Sequence, residues 1–278
     1  MTPAEIVSFV EYYLPVLVTA GDYACNIQSR ISGPDPKPGK NAWTQALTDA
    51  DLAVQNFIEV ATLGRYPNAG FDGEESAHSS NRKYFADEAD TVIHLDPING
   101  TFLYKNQRSG WDIILSISHR GRLLAAISYM PARGKFFLAV RGIGARTGPR
   151  ETVRIDAMQP LKTRTGSRVC LTYQAPDVIA KVSRGFECFD IVEDYSEERN
   201  LDNLNDLFTG RLDAFACLNG DLLDWGAIAF IVSEAGGAIS CLNGSPLLGL
   251  DAFNGRDQAD MLVSSSPAIH AEILNLLR

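Results

Sequence analysis

Beginning at Thr91 the chain sets down four β-rich runs in close succession: TVIHL, DIILSIS, RLLAAISYM and KFFLAV. Turns as short as HRGR and ARGK join the later runs. Strands separated by so few residues pair antiparallel, because a parallel return needs a crossover of a dozen residues or more. Whatever else the chain does, it must cover both faces of this sheet, and the sequence on either side reads as helix.

Ahead of the strands, Thr2-Pro3-Ala4-Glu5 is a capping box with proline at the first helical position. Ile6, Phe9, Val10, Tyr13, Leu17, Ala20 and Ala24 follow at helical spacing, and Pro15 predicts a kink. A loop, SGPDPKPGKN, leads to a second helix that starts near Thr48. That helix is expected to turn Val54, Phe57, Ile58 and Ala61 inward and to end before Tyr66-Pro67. After the strands, the polar stretch RTGPRETVRIDAMQPLKTRTG suggests a boundary between two halves, residues 1–148 and 149–278, of one compact unit. The second half contains a short strand (RVCLTY), a helix near Pro176–Arg184, and the helical stretch DWGAIAFIVSEAGG. This last stretch is apolar on nearly every side and therefore buried, with Gly236-Gly237 as its stop. The fold class is mixed α/β (α+β).

Composition narrows the function. At 278 residues the chain can bury a large core, and its net charge of −9 comes without any Lys/Arg stripe, which argues against nucleic acid as a partner. The five cysteines are far apart and form no CxxC pair, as in a reducing compartment. The apolar patch YYLPVLVTA is preceded by Glu5 and Glu11, the first basic side chain is Arg30, and no run of 18 apolar residues occurs. A cytoplasmic protein with no membrane segment is expected.

Chemistry concentrates in four acidic places: Asp51 in LTDADLAV, Glu74 and Glu75 in FDGEES, Asp96 in HLDPINGTFLY, and Asp224 in LLDWGAIAF. Each has an ordinary explanation alone. Asp51 closes a capping box with Thr48, the two glutamates suit a solvated turn, and Asp224 suits the head of a helix. Together they make an oxygen-rich set of the kind that Mg²⁺ requires, with a substrate phosphate completing the shell. The alternatives are weaker. His78, His94, His119 and His270 have no HxH or HExxH spacing, and Ser264–Ser266 lack a nucleophile-elbow context. RGIGARTG lacks the lysine of a phosphate loop and reads as a turn.

Three motifs in order, GEES, DPINGT and DWGAIAFIVSEAGG, resemble those of the inositol monophosphatase family of Mg²⁺-dependent, lithium-sensitive phosphatases, over about Trp43 to Gly237. The resemblance implies a layered αβαβα sandwich and a homodimer. By position it implies that Glu74, Asp96 and the Ile98 carbonyl hold one metal, while Asp96, Asn99 and Asp224 surround a second. It further implies that Asp51 and Thr101 orient the attacking water and that the Gly100 and Thr101 amides meet the phosphate. The implied activity is phosphomonoester hydrolysis of a small phosphorylated polyol, sugar or nucleotide. The alternative is an impaired relative that binds a phosphometabolite or a protein.

The departures bear on activity and substrate. Asn99 stands where the family has Asp, so the first Mg²⁺ site is expected intact and the second weakened. Natural divergence is the leading reading of Asn99, ahead of an engineered exchange or deamidation in the Asn99-Gly100 pair. Glu198 to Leu201 replace a small-residue stretch that contacts substrate. Cys217 replaces an acidic contact to the sugar ring and is the corresponding substrate-side position here. Leu223 precedes Asp224 where the family has Trp, and Trp225 follows it. On the sequence alone, an Asn99→Asp exchange is expected to raise activity.

Overall fold

A computed structural model describes residues 1–30, 48–166, 168–194 and 203–278. The SGPDPKPGKN loop, Trp43 and Glu198 to Leu201 lie outside the described residues. In chain order the elements are α1 (Pro3–Ile27), α2 (Asp49–Arg65), β1 (Gly70–Gly73), β2 (Thr91–Asn99), α3 (Thr101–Lys105), β3 (Asp112–His119), β4 (Arg122–Met130), β5 (Lys135–Val140) and β6 (Gly144–Pro149). Then come β7 (Gln159–Pro160), β8 (Val169–Tyr173), α4 (Pro176–Val182), β9 (Glu187–Asp190), α5 (Asp206–Thr209) and β10 (Ala214–Asp221). A π-helical turn, Leu222–Gly226, leads into α6 (Ala227–Glu234), and β11 (Ala238–Ser240), β12 (Gln258–Ser264) and α7 (Pro267–Leu277) complete the chain.

The strands form two sheets. The first runs β1 to β7 in sequence order, antiparallel except for the parallel pair β1–β2. The second has the order β11-β12-β10-β8-β9, with β10, β8 and β9 parallel. Strand alternation distributes the core. Ile113, Leu115 and Ile117 of β3 join α1 and α2 in one apolar cluster, whereas Ile114 joins Phe137, Ala139 and the α6 residues Ile228 to Val232 in a second. That second cluster also takes Phe215, Met261 and Val263 from one face of the second sheet. From the opposite face, Cys170, Ala216 and Leu262 pack with Val178 and Val182 of α4 and Ile269 and Ile273 of α7. The layers are therefore α1/α2, sheet, α6, sheet, α4/α7: the expected αβαβα sandwich, with α6 buried between two sheets as its uniform apolarity requires.

Local expectations are met with three adjustments. The capping box forms, with Glu5 accepting from the Thr2 nitrogen at 2.6 Å, and α1 runs through Pro15 as one helix. By length and composition α1 could cross a membrane, but Val10, Tyr13, Leu14 and Leu17 are fully buried in the first core. In α2 the inward stripe is Val54, Gln55, Ile58, Glu59 and Thr62, while Phe57 is 42% exposed. Of the three polar side chains in that stripe, Gln55 and Glu59 hold a neighbouring loop and Thr62 bonds the Ile58 carbonyl. Finally, the polar stretch after residue 148 still contributes β7 to the first sheet, through pairing of Arg146 with Pro160 and Thr147 with Gln159. Edge pairing uses backbone groups and needs no apolar side chain.

Candidate active site

A cavity of about 590 Å³ opens between the two sheets, at the carboxyl ends of β2, β8 and β10. Ligand crevices in α/β proteins sit at such strand ends. Glu74, Asp96, Ile98, Asn99, Gly100, Thr101 and Asp224 all line it, joined by Asp221. Three sequence-distant motifs thus converge on one space. Among the described residues that line it, none is Lys, Arg or His.

Glu74 directly follows β1, with its amide bonded to the Leu95 carbonyl at 2.9 Å. The loop is fixed from both sides. Gln55 Oε1 accepts the Glu75 amide at 3.0 Å while its Nε2 donates to Glu59 at 3.0 Å, which is why α2 buries these polar groups. Opposite, Arg256 donates to Asp72 at 2.6 Å and to the Gly73 carbonyl at 2.9 Å. A Cβ on Gly73 would lie 2.4 Å from Gln55 Oε1, so a side chain there would displace the Gln55 amide that holds the loop.

At the end of β2 the ladder to β3 shifts register between Asp96 and Asn99. Such a bulge re-aims side chains. Asp96 Oδ1 accepts from the Ile98 amide at 3.0 Å, and Gly100, at φ +85°, turns the chain into α3. Only a residue without Cβ takes that conformation cheaply. The Thr101 hydroxyl lies 2.9 Å from the Ile98 carbonyl and 3.2 Å from Asp51 Oδ1. Asp51 is buried behind Thr101, its other oxygen accepting from the Thr48 nitrogen at 2.8 Å and hydroxyl at 2.5 Å. The capping box and the Thr101 contact therefore use the two oxygens of one carboxylate. His94 is a packed side chain, 2.8 Å from Ser118 Oγ.

From the second sheet come the residues after β10. Asp224 was expected to head a helix; instead Asp221 is the cap, accepting from the Leu223 amide at 2.8 Å, and Asp224 lies inside the π turn. Cys217 is fully buried and does not line the cavity. A bulge between Cys217 and Gly220 puts Leu218 and Asn219 at the wall instead, and a Cβ on Gly220 would lie 2.4 Å from the Cys217 sulfur. Asn219, at φ +52°, adopts a backbone conformation that costs a non-glycine residue about 1 kcal/mol or more. Asp221, Asn203 and Asn219 belong to no motif; an Asp three residues before a site Asp was the one sign available.

Negative charge is in excess. Burial raises Asp224 well above the usual carboxylate range, and repulsion from Asp221 and Glu74 adds to it. Burial likewise pushes Asp221 up to about 6. Burial pushes Asp51 to about 7, with Glu74 and Glu75 adding to the rise and Thr48 opposing it. A divalent cation would relieve this repulsion, and an all-oxygen donor set suits a hard ion. Among the described residues no three His, Cys, Asp or Glu are grouped closely enough to hold an ion as they stand. The donors fit the ion by chemistry.

The family model described as "Inositol monophosphatase family" matches residues 23–278. A relative described as a putative Nus factor SuhB, from Neisseria meningitidis, is 24% identical over 250 residues, covering 87% of each chain. An IMPase of Thermotoga maritima superposes with a TM-score of 0.74 at 18% identity, over 97% of this chain and 96% of that one. An IMPase/NADP phosphatase complexed with Mg²⁺ and phosphate gives 0.71 at 16% identity, over 99% and 96%.

Proposed function

Because the chain belongs to the inositol monophosphatase family, we propose that it is a phosphomonoesterase that hydrolyses a small phosphorylated polyol, sugar or nucleotide with Mg²⁺ as cofactor. The observation that carries this reading is the meeting of Glu74, Asp96, Asn99, Thr101 and Asp224 around one cavity, with Asp51 behind Thr101. Glu74, Asp96 and the Ile98 carbonyl would hold one ion, and Asp96, Asn99 and Asp224 a second, more weakly because Asn99 is neutral. The solved relative complexed with Mg²⁺ and phosphate supports that choice of ion. When bound, such an ion polarises the phosphate and makes a water more acidic.

The chain's own groups then handle the proton. Thr101 presents its hydroxyl to the water, and Asp51, pushed to about 7 by burial, takes up the proton near neutral pH through that hydroxyl. The water oxygen bonds to phosphorus as the ester P–O bond breaks, the leaving alcohol keeps the bonding pair and takes a proton from solvent in the open cavity, and Asp51 returns its proton to solvent. Tyr173 and Trp225, whose rings lie 5.4 Å apart, and the amides of Gln174 and Asn219 form the wall that would meet the leaving group. The resemblance further supports a homodimer, and the cysteine pattern and N-terminal composition a place in the cytoplasm.

Phosphate release from a panel of sugar, polyol and nucleotide monophosphates, with Mg²⁺ present, tests the reading. The wild-type chain should turn over at least one substrate, Thr101→Ala should lose about 10²-fold, and Thr101→Ser should keep most of the rate. No release from any substrate, or equal rates in wild type and Thr101→Ala, refutes it. A second reading, a binding module for a phosphometabolite or a protein, is favoured by Asn99 and by the Nus-factor description of the Neisseria relative. Phosphate binding without turnover would select it.

A further inference from the structure

Asn99 has a partner that the DPINGT motif does not disclose. The bulge at the end of β2 sets it directly across the ladder from Asp112, the first residue of β3. Asn99 Nδ2 donates to Asp112 Oδ1 at 3.0 Å. Asp112 is completely buried, and among the described residues the rest of its shell consists of neutral donors: Asn203 at 3.0 Å on the same oxygen, and Asn205 at 3.1 Å with the Ser128 hydroxyl on the other. Asn99 meanwhile lines the cavity. With one N–H of its nitrogen given to Asp112, the carboxamide oxygen is the acceptor that Asn99 can offer a cation in the cavity.

We infer that Asp112 is a positioning residue for the candidate metal site: it holds the Asn99 carboxamide by its nitrogen, so that the chain presents a neutral oxygen donor while the negative charge of the pair sits one strand away. An Asp at 99 would share this arrangement badly. It would set two carboxylates opposite each other, with no proton donor between them, where like charges destabilise a strand pair. The gain expected from Asn99→Asp alone is therefore withdrawn, because the position it restores is no longer next to a neutral neighbour. Exchanging both residues reverses the hydrogen bond, and an amide at 112 then donates to a carboxylate at 99.

The test is a set of metal-free melting curves for Asn99→Ala, Asn99→Asp, Asp112→Asn and the double variant Asn99→Asp/Asp112→Asn. Asn99→Asp should melt about 5 °C below Asn99→Ala, and adding Asp112→Asn to it should raise the melting point. The cost of leaving Asn203 without its acceptor enters both variants that carry Asp112→Asn, so it cannot produce the rescue. An Asn99→Asp chain that melts at or above Asn99→Ala overturns the inference. So does a double variant that melts no higher than Asn99→Asp, or that fails to fold alongside it. The part concerning metal rests on the phosphatase reading, and Mn²⁺ titration separates the two: the double variant should bind Mn²⁺ about tenfold more tightly than wild type. A rescued melt without that gain upholds Asp112 as the holder of Asn99 and counts against the metal reading of the cavity.

Discussion

Single residues divide sharply into those visible in the sequence and those that needed the fold. Glu74, Asp96, Thr101 and Asp224 are legible through three motifs in order that resemble one family's, although each acid alone has an ordinary explanation, and all four reach the cavity. Asp112 was not legible: it reads as the polar first residue of an apolar strand, and its meaning depends on a register shift in a different strand. Cys217 shows the opposite failure, since counting along an alignment ignores the bulge that turns it into the core. At this scale a pH effect is also specified. His270 is buried between Ser240 and Ser264, at 2.9 and 3.1 Å, and burial lowers its pKa. The unfolded chain therefore binds this proton first as pH falls. The stability tied to neutral His270 is complete above about pH 6.5, the unfolded value, and is lost as pH drops toward the folded one. Denaturation midpoints for wild type and His270→Gln, measured from about pH 7.5 to about pH 5, should converge toward acid. Parallel curves would show that His270 contributes nothing to the acid limb.

At the scale of elements, periodicity and caps defined α1, α2 and the β3–β5 meander well, because those signals are local. The π turn was hidden, since LLDWG continues the apolar pattern of α6 and nothing in composition distinguishes a wider turn from an ordinary one. The end of α6 illustrates why two adjacent glycines are needed for different reasons. Gly236 sits at φ +94° with open space around it, so a side chain there costs only the left-handed backbone strain. Gly237 has ordinary φ, but a Cβ would lie 2.4 Å from Val232 Cγ1 and 2.5 Å from the Ser264 carbonyl, where β11 and β12 pair. Gly236→Ala should cost about 1 kcal/mol and Gly237→Ala about 3 kcal/mol in urea denaturation. Equal costs would mean that the close approach at Gly237 relaxes freely.

For the whole molecule, the layer order follows from what each element must cover. A helix apolar all round has to lie between two sheets, and amphipathic helices have to close the outside. What the sequence left open is which strands pair in parallel, because β1–β2 and β8–β10 are joined through long connections whose partner choice is set by the assembled core. Yet those parallel pairs bring the strand ends of two sheets to one cavity and gather the buried acids there. That excess charge marks the proposed dication–phosphate site. Calorimetric titration of Mg²⁺ into the chain in the presence of inorganic phosphate measures it most directly. Saturable binding in wild type that disappears in both Glu74→Gln and Asp224→Asn is the predicted result. Binding absent from the wild-type chain, or unchanged in the two variants, would contradict it.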